Sequence, residues 1–258
     1  MAEIISIIPA RMESSRYPGK PMAEICGVPM IGHVFHRTRL CTSLSQTFVA
    51  TCNHEIYEYI ESIGGKAIMT SPGHERCSDR TAEAVAIIEE TMGYQVDFVV
   101  MVQGDEPMID PIMIEQLISP VRGAEPVKVV NLISEISQDS EFESPNTIKV
   151  VLDADGNAMY FSREPIPSRT KHDGPVSRWR QLGLILFEKD TLYRYISLEP
   201  TELEIVESVD MNRFLENGIK IRTALTKHST HPVDTKADRD HVEKLMRSDA
   251  LMVKYCGH

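Results

Sequence analysis

Short apolar runs alternate with amphipathic runs of helical period through the first half of the chain, and this alternation most limits the possible fold. We predict strands at residues 4–8, 47–51, 66–70, 97–102 and 127–133. Apolar residues recur every three or four positions at 30–40, 55–63 and 79–90, which predicts helices there. Strands that alternate with helices are typical of a parallel sheet covered on both faces. The prediction is an α/β fold with a mostly parallel central sheet.

The pattern changes after about residue 138, where antiparallel pairing is expected. Residues 144–152 and 159–162 are predicted strands joined by a hairpin that contains Gly156. Asp153-x-Asp155 resembles a metal-binding D-x-D motif, although a tight turn explains it more simply. Further predictions are a mobile loop at 165–178, strands at 181–187 and 219–225, and helices at 204–215 and 236–246. We expect one domain over residues 1–258, with an antiparallel subsidiary lobe at 140–200.

The charge balance excludes some classes of partner. The 258 residues are 42% hydrophobic, enough for a large core, and their 27 basic and 38 acidic side chains give a net charge of −11. A general nucleic-acid or anionic-membrane binder needs a basic face, so neither partner is expected. Without an apolar run of about 20 residues or a signal peptide, we expect a cytoplasmic protein. Five scattered cysteines predict reduced thiols.

A basic loop follows the first strand. The apolar run breaks at Pro9, and the segment from Ala10 to Pro21 places Arg11, Arg16 and Lys20 against the single Glu13. In an acidic chain, such a loop favours an anion such as a nucleoside triphosphate, held by backbone amides and basic side chains. The alternative is that these basic residues are ordinary surface side chains without a ligand. The P-loop and dinucleotide-binding motifs are both missing from the sequence.

Two carboxylates follow predicted strands. The strand at 97–102 ends in Gln103-Gly104-Asp105-Glu106-Pro107, and Asp234 lies between a β run and the last helix. Ligands bind at the carboxyl ends of parallel strands, where such carboxylates suit a hard cation such as Mg²⁺. We predict Asp105 and Asp234 as metal ligands. The alternatives are an acidic turn at Asp105 and a helix N-cap region at Asp234.

A third polar segment, His74-Glu75-Arg76-Cys77-Ser78-Asp79-Arg80, opens the helix predicted at 79–90. Ser78 or Asp79 is expected to cap this helix. Arg76 and Arg80 lie four residues apart and can face the same ligand. His74 and Cys77 suggest zinc only weakly, because the sequence offers them no further ligands.

These segments together resemble the CMP-Kdo synthetases, or 3-deoxy-manno-octulosonate cytidylyltransferases, in order over nearly the whole chain. The motifs are Ile7-Ile8-Pro9-Ala10-Arg11, Ser14-Ser15-Arg16-Tyr17-Pro18-Gly19-Lys20-Pro21, Met30-Ile31-x-His33-Val34, Val49-Ala50-Thr51, Met69-Thr70-Ser71-Pro72, Gln103-Gly104-Asp105-Glu106-Pro107, Lys149-Val150-Val151-Leu152, Tyr160-Phe161-Ser162-Arg163 and Val233-Asp234-Thr235. The Pro-Ala-Arg…Pro-Gly-Lys-Pro and Gln-Gly-Asp-Glu-Pro pair is specific to this group of sugar-nucleotide transferases.

The resemblance implies a Rossmann-like nucleotidyltransferase that binds CTP and Mg²⁺, transfers CMP to an acidic acceptor and releases pyrophosphate. It implies catalytic roles for Arg11, Lys20 and Asp105, with Asp105 and Asp234 holding the Mg²⁺. The nucleotide-binding residues that it implies are Pro9, Ala10, Arg11, Lys20, Ser78, Arg80 and Gln103. Arg163 is expected to face the acid group of the acceptor. The family also implies a homodimer, formed through the antiparallel lobe, and a role in cell-surface lipopolysaccharide synthesis.

The chain departs from the family pattern mostly on the acceptor side. Cys77 replaces a glycine in the 74–80 segment, and Gln181 replaces a histidine before Leu-Gly. Asp210 and Met211 stand where the family has Glu-Gln, so the acceptor residues expected here are Arg163, Gln181, Asp210 and Met211. Either the acceptor is Kdo or a related keto-deoxy acid with rearranged contacts, or CMP goes to a different acid such as a phosphonate. A nucleotide-binding regulatory protein without turnover is the alternative from another class.

Overall fold

The computed structural model describes residues 2–14, 16–171 and 174–256. The chain forms two compact units, Met1–Glu115 with Ser229–His258, and Gln116–His228. The strands are β1 (Ile4–Ala10), β2 (Glu24–Ile25), β3 (Val28–Pro29), β4 (Gln46–Thr51), β5 (Ala67–Met69), β6 (Phe98–Val102), β7 (Val129–Glu135), β8 (Lys149–Leu152), β9 (Ala158–Ser162), β10 (Trp179–Glu188) and β11 (Arg222–Thr226). The α-helices are α1 (Met30–Arg39), α2 (His54–Ser62), α3 (Cys77–Met92), α4 (Pro111–Ile118), α5 (Asp139–Phe142), α6 (Lys189–Ile196), α7 (Glu202–Glu207), α8 (Met211–Glu216) and α9 (Lys236–Met246).

The first unit contains a parallel sheet. Strand β1 pairs in parallel with β4 and with β6, and β4 pairs in parallel with β5. All seven residues of β1 are buried, as expected of a strand that is covered on both faces. The predicted α/β fold with a mostly parallel sheet is confirmed, because buried β-type runs and amphipathic helices leave few other arrangements. Strand β1 ends at Ala10 and β6 at Val102, so their carboxyl ends carry the segments predicted to bind ligands.

The second unit contains antiparallel pairs, as predicted for this part of the chain. Strand β10 pairs antiparallel with β7 and β8, and β8 pairs antiparallel with β9 across the predicted hairpin. Strand β11 pairs in parallel with β7. In the turn between β8 and β9, the Asp153 carboxylate accepts hydrogen bonds from the backbone N–H groups of Asp155 and Asn157. The turn explanation of Asp153-x-Asp155 therefore accounts for that carboxylate.

Some predicted boundaries in the second unit are wrong. Residues 144–148 precede β8 as a turn, because Pro145 offers no backbone N–H for a strand ladder and the Thr147 N–H donates to the Ser144 carbonyl at 3.2 Å. The strand predicted at 219–225 begins only at Arg222. His172 and Asp173, inside the loop predicted at 165–178, lie outside the described residues.

The helix predicted at 204–215 is two helices, α7 and α8. Ser208 has a left-handed φ of 52° and ends α7, where the Val209 N–H donates to the Glu204 carbonyl at 3.1 Å. That bond is typical of a chain that leaves a helix through a left-handed residue. The apolar period continues across the break, so the sequence pattern alone favours one helix.

Several elements of the fold were absent from the sequence prediction. Strands β2 and β3 form a hairpin whose turn residues, Cys26 and Gly27, both have positive φ, at 49° and 79°. This is the geometry of a tight two-residue hairpin turn, which glycine favours. Helices α5 and α6 were also missed. The five cysteines form no disulfide, as predicted, and no helix in the described part of the chain is long and apolar enough to span a bilayer.

Candidate active site

Hydrogen bonds to backbone N–H groups fix the shape of the basic loop after β1. The Gly19 N–H donates to the Met12 carbonyl at 2.9 Å, and the Met12 N–H donates to Asn53 Oδ1 at 3.0 Å. Gly19 has a φ of 73°, a left-handed conformation that a side chain would strain. Lys20 follows directly and begins a 3₁₀ turn, Lys20–Met22. The loop geometry therefore fixes where the Lys20 side chain begins.

The Lys20 ammonium lies between the two carboxylates predicted as metal ligands. Its Nζ donates to Asp105 Oδ2 at 2.9 Å, to Asp234 Oδ1 at 3.2 Å and to the Val233 carbonyl at 3.0 Å. The exposed fractions are 14% for the Lys20 side chain, 24% for Asp105 and 35% for Asp234. Burial alone lowers the pKa of Lys20, but the charges and hydrogen bonds of Asp105 and Asp234 outweigh it and raise that pKa above its usual range. Lys20 is therefore fully charged at neutral pH.

Asp105 is positioned by the close approach of two chain segments. A Cβ on Gly104 would lie 2.9 Å from the Pro9 carbonyl oxygen. Only glycine therefore lets the backbone after β6 lie this close to β1. The Asp105 carbonyl accepts the Val233 N–H at 2.9 Å, which ties this segment to the one that carries Asp234. The second carboxylate oxygen, Asp105 Oδ1, is buried and accepts no hydrogen bond from the described residues. That oxygen can take a further donor or a cation.

The Asp234 carboxylate is not used as a helix cap. Thr235 is the N-cap of α9, where its hydroxyl accepts the Asp238 N–H and the Asp238 carboxylate accepts the Thr235 N–H. Asp234 instead forms an ion pair with Arg16, whose Nη2 lies 2.9 Å from Asp234 Oδ2. Both oxygens of Asp234 therefore accept from cations of the basic loop.

The basic loop and the two carboxylates line one cavity of about 770 Å³ in the first unit. Its lining residues are Pro9, Ala10, Arg11, Glu13, Ser14, Arg16, Pro18, Lys20, Pro21, Cys77, Gln103, Gly104, Asp105 and Asp234. Seven of the predicted site residues are therefore brought together: Pro9, Ala10, Arg11, Lys20, Gln103, Asp105 and Asp234. Sequence reasoning did not assign a role to Arg16, although its place in the basic loop was the available signal.

The predicted Arg80 is buried beside this cavity. Its Nη1 donates to Thr70 Oγ1 at 2.5 Å, and its Nη2 donates to the His74 carbonyl at 3.4 Å. Arg11 Nη1 donates to the same carbonyl at 3.3 Å, so two arginines hold the 74–80 segment. A smaller cavity, of about 40 Å³, is lined by Pro9, Ala10, Arg11, His74, Glu75, Arg76, Cys77 and Arg80.

The expected cap of the helix in the 74–80 segment is wrong. Helix α3 begins at Cys77 with Arg76 as N-cap, so neither Ser78 nor Asp79 caps it. Ser78 lies in the first turn with its hydroxyl oxygen buried and without a hydrogen-bond partner in the described structure. His74 Nε2 lies 2.5 Å from Glu83 Oε2. No group of three or more His, Cys, Asp or Glu side chains among the described residues is placed to bind a metal.

The predicted acceptor residues Arg163, Gln181, Asp210 and Met211 all belong to the second unit. The Arg163 guanidinium reaches the residue that ends α7, because its Nη2 donates to the Ser208 carbonyl at 3.3 Å. Asp210 is the N-cap residue of α8, and Met211, only 1% exposed, packs into the core. Gln181 lies on β10, where its side-chain oxygen is buried without a hydrogen-bond partner in the described part of the chain. Their contact with an acceptor stays a prediction.

Comparison with known proteins gives a family match over most of the chain. A family model described as cytidylyltransferase matches residues 5–221. The chain is 40% identical to a 3-deoxy-manno-octulosonate cytidylyltransferase of Geobacter metallireducens over 256 residues, covering 95% of this chain and 98% of that protein. It is also 40% identical to the enzyme of the same name from Nitratidesulfovibrio vulgaris over 249 residues, covering 94% and 96%.

Solved structures agree with the sequence relatives. A CMP:2-keto-3-deoxy-manno-octonic acid synthetase, determined in complex with CTP, superposes with a TM-score of 0.87 at 35% identity, covering 95% of this chain and 99% of that chain. A 4-diphosphocytidyl-2C-methyl-D-erythritol synthase from Anaerococcus prevotii superposes with a TM-score of 0.63 at 14% identity, which indicates a shared fold alone.

Proposed function

The chain belongs to the cytidylyltransferase family and is a nucleotidyltransferase, and from this premise we propose that it transfers CMP from CTP to 3-deoxy-manno-octulosonate, Kdo. The observation that carries the proposal is the cluster of Lys20, Asp105 and Asp234 on the 770 Å³ cavity. A triphosphate needs cations and a Mg²⁺ site at adjacent positions, and this cluster supplies groups for both. The relatives named for the Kdo reaction match the chain over nearly its whole length.

In the proposed reaction, an acceptor hydroxyl oxygen attacks the α-phosphorus of CTP. A bond forms between that oxygen and the α-phosphorus, and the bond from the α-phosphorus to the bridging oxygen of the β-phosphate breaks. Pyrophosphate leaves with that oxygen, and the hydroxyl proton passes to solvent. Because no covalent enzyme intermediate is required, the protein contributes position and electrostatic stabilisation.

The basic side chains of the cavity are proposed to bind the phosphates in this reaction. Arg11 and Lys20 neutralise the charge that builds on the phosphate oxygens as pyrophosphate departs. The backbone at Pro9 and Ala10 lines the same cavity, and Gln103 supplies a side-chain amide. Arg80 supports nucleotide binding indirectly, because its guanidinium holds the segment that precedes α3 through the His74 carbonyl. Lys20 is bonded to Asp105 and Asp234, so it must release at least one carboxylate when it turns to a phosphate.

The residues present fit a divalent cation. Asp105 Oδ1 is a buried carboxylate oxygen with no hydrogen-bond partner among the described residues, and carboxylate oxygens are the donors that Mg²⁺ prefers. We propose that Asp105 and Asp234 hold Mg²⁺. When bound there, the cation supplies charge neutralisation to the phosphates and lowers the pKa of a coordinated hydroxyl.

The acceptor side is proposed to lie on the second unit, with Arg163, Gln181 and Asp210 as its contacts, while Met211, 1% exposed, is part of the core beneath them. Arg163 brings the positive charge that a carboxylate needs, and guanidinium groups bind carboxylates through paired hydrogen bonds. Gln181 and Asp210 offer polar groups for sugar hydroxyls. A cytoplasmic location and a homodimer remain predictions.

An acceptor screen tests this function. Purified protein is mixed with CTP, Mg²⁺ and one acid at a time, and pyrophosphate release is measured with Kdo and with a phosphonate such as phosphonoacetate. We expect release with Kdo and with no other acid at a comparable rate. Release with the phosphonate alone would overturn the acceptor, and binding of CTP without release for any acid would favour a regulatory nucleotide-binding protein.

A further inference from the structure

Arg163, the predicted acceptor contact at the end of β9, is fixed through both its backbone and its side chain. Its backbone N–H donates to Glu207 Oε2 at 2.8 Å, and its carbonyl accepts from the Lys149 ammonium. Its guanidinium donates to three carbonyl oxygens, those of Glu207 at 2.7 Å, Pro145 at 2.9 Å and Ser208 at 3.3 Å. These five hydrogen bonds fix both the backbone and the guanidinium of Arg163.

Glu207 links β9 to the end of α7. The side chain is buried, with the residue 9% exposed, and its Oε1 accepts hydrogen bonds from the Tyr160 hydroxyl and the Ser162 hydroxyl, each at 2.7 Å. Burial alone raises the pKa of Glu207, but the hydrogen bonds from Arg163, Tyr160 and Ser162 outweigh it and lower that pKa. The carboxylate is therefore charged and fully engaged at neutral pH, which makes it a rigid anchor for the Arg163 backbone.

Lys149 supports Arg163 through its backbone carbonyl. It is 0% exposed, and its Nζ donates to the Ser144 carbonyl at 2.9 Å, to the Thr147 carbonyl at 2.8 Å and to the Arg163 carbonyl. Lysine is rarely buried in full, and this one uses its three donors on backbone oxygens alone. Its position therefore serves the backbone of Arg163 and of the turn before β8.

The guanidinium itself keeps capacity for a ligand. Its three acceptors are neutral carbonyls, so three of its five N–H donors are used and no carboxylate among the described residues forms an ion pair with it. A guanidinium that is oriented in advance does not lose side-chain freedom when an acid binds. The surrounding contacts thus give Arg163 a fixed orientation and leave two of its N–H donors for an acid.

We propose that Glu207 and Lys149 are positioning residues that clamp Arg163 in the orientation that binds the acid group of the acceptor. The inference rests on the proposed function, because it takes Arg163 as the acceptor contact. Neither residue touches the acceptor. Their effect on the reaction passes through Arg163, so it falls on acceptor binding rather than on CTP binding.

The main test compares Glu207→Ala with Glu207→Gln in steady-state kinetics with Kdo. Loss of the clamp is expected to raise the KM for Kdo about tenfold, equivalent to about 1.4 kcal/mol. The KM for CTP and the kcat at saturating Kdo are expected to stay within about threefold of wild type. Glu207→Gln is expected to restore most of the Kdo affinity, because the amide oxygen accepts from Arg163 and the amide nitrogen donates to a rotated hydroxyl of Tyr160 or Ser162.

Glu204→Gln is the matched control, because it weakens another buried ion pair of the same helix. Glu204 is 0% exposed and accepts from Arg213 Nε at 2.5 Å and Nη2 at 2.6 Å, without contact to Arg163. This variant is expected to lose thermal stability while its KM for Kdo stays within about threefold of wild type. If Glu207→Ala does not fold, Lys149→Met and Tyr160→Phe test the same clamp from its other contacts, with the same direction of change in the KM for Kdo.

A measurement without acceptor separates failure of the clamp from failure of the proposed function. The Arg163 backbone N–H is expected to exchange with solvent at least about tenfold more slowly in wild type and Glu207→Gln than in Glu207→Ala, with exchange followed by NMR. Equal exchange rates in all three proteins would overturn the clamp, whatever the acceptor. Slow exchange in wild type without any pyrophosphate release from CTP and Kdo would leave the clamp standing and refute the function.

The kinetics also have outcomes that overturn the positioning role. An unchanged KM for Kdo in Glu207→Ala would show that Arg163 does not need the clamp. An equally large rise in the KM for Kdo in Glu204→Gln would show that the effect comes from a general loss of stability. Equal losses for CTP and Kdo would likewise contradict a role confined to the acceptor.

Discussion

We propose two states for the Lys20 side chain, one bonded to Asp105 and Asp234 and one bonded to the triphosphate. Replacement of Lys20 by methionine tests the contribution of each. The Lys20 ammonium forms ion pairs with Asp105 and Asp234 at 2.9 and 3.2 Å. Removal of one partner from a fully buried ion pair costs about 3–5 kcal/mol, while exposed pairs contribute about 0–1 kcal/mol. Because these side chains are 14–35% exposed, we expect Lys20→Met to lose about 1–2 kcal/mol of unfolding free energy.

The same substitution is expected to improve divalent-cation binding in the absence of CTP. With Lys20 gone, Asp105 lacks a counter-charge and Asp234 keeps only Arg16, so the affinity for Mn²⁺ is expected to rise at least about tenfold. Turnover changes in the opposite direction: loss of a preorganised cation at the phosphates is expected to lower kcat by about 10²–10³. Calorimetric titration with Mn²⁺, urea unfolding and pyrophosphate release measure the three effects on one protein preparation.

The matched control is Lys244→Met, which removes an exposed lysine of α9 and is expected to change none of the three quantities. The pH dependence provides a further check. The folded pKa of Lys20 lies above its ordinary value of 10.5, so its stabilising contribution is complete below pH 10.5 and is lost as pH rises through the folded pKa. Equal Mn²⁺ affinity in wild type and Lys20→Met would refute the idea that Lys20 and the cation compete for Asp105 and Asp234.

Three further predictions concern other residues. Asp105→Asn is expected to lower metal-dependent turnover by at least about 10² while the circular dichroism spectrum stays unchanged, and wild-type activity in this variant would exclude Asp105 as a metal ligand. Burial, followed by smaller effects that include nearby cations, lowers the pKa of His33 from 6.5 to about 4, so stability is expected to fall by about 3 kcal/mol as pH drops from 6.5 to 4. Urea unfolding at both pH values should show this loss in wild type but not in His33→Gln. Alkylation of the exposed Cys77, which lines the cavity, is expected to raise the KM for CTP at least about tenfold in wild type and to leave Cys77→Ser unaffected.

The fold of the first unit could be predicted because its signals are local. Strand β1 is an apolar run buried along its whole length, and each helix next to the sheet repeats its apolar residues at the helical period. The hairpin turn at Cys26 and Gly27 was missed because cysteine is not a residue that the turn type favours. The break between α7 and α8 was missed because Ser208, in a left-handed conformation, interrupts a continuous apolar period.

The candidate site could be predicted in outline for a topological reason. Parallel strands bring their carboxyl ends to one edge, so the segments after β1 and β6 had to meet if the sheet formed. The contacts inside the site could not be predicted. Lys20 bonds Asp105 and Asp234, which lie 85 and 214 residues away along the chain, and no local pattern encodes such distances.

The contacts around Arg163 were beyond sequence reasoning for a different reason. Glu207 lies in a helical run, where a glutamate normally faces solvent, yet α7 buries Glu204 and Glu207 and exposes Ile205 and Val206. This inverted pattern contradicts the rule that apolar residues mark the buried face of a helix. It is explained by the buried partners of the two carboxylates, Arg213 for Glu204 and the end of β9 for Glu207.

Phosphorus NMR of a single reaction mixture tests cytidylyl transfer to Kdo most directly. When the protein, Mg²⁺ and Kdo are added to CTP, we predict that the three signals of CTP disappear together. One phosphodiester signal of a CMP–sugar conjugate and one pyrophosphate signal should replace them, with one pyrophosphate formed for each phosphodiester. Free CMP with pyrophosphate, a new signal with a phosphonate but none with Kdo, or an unchanged CTP spectrum would contradict the account.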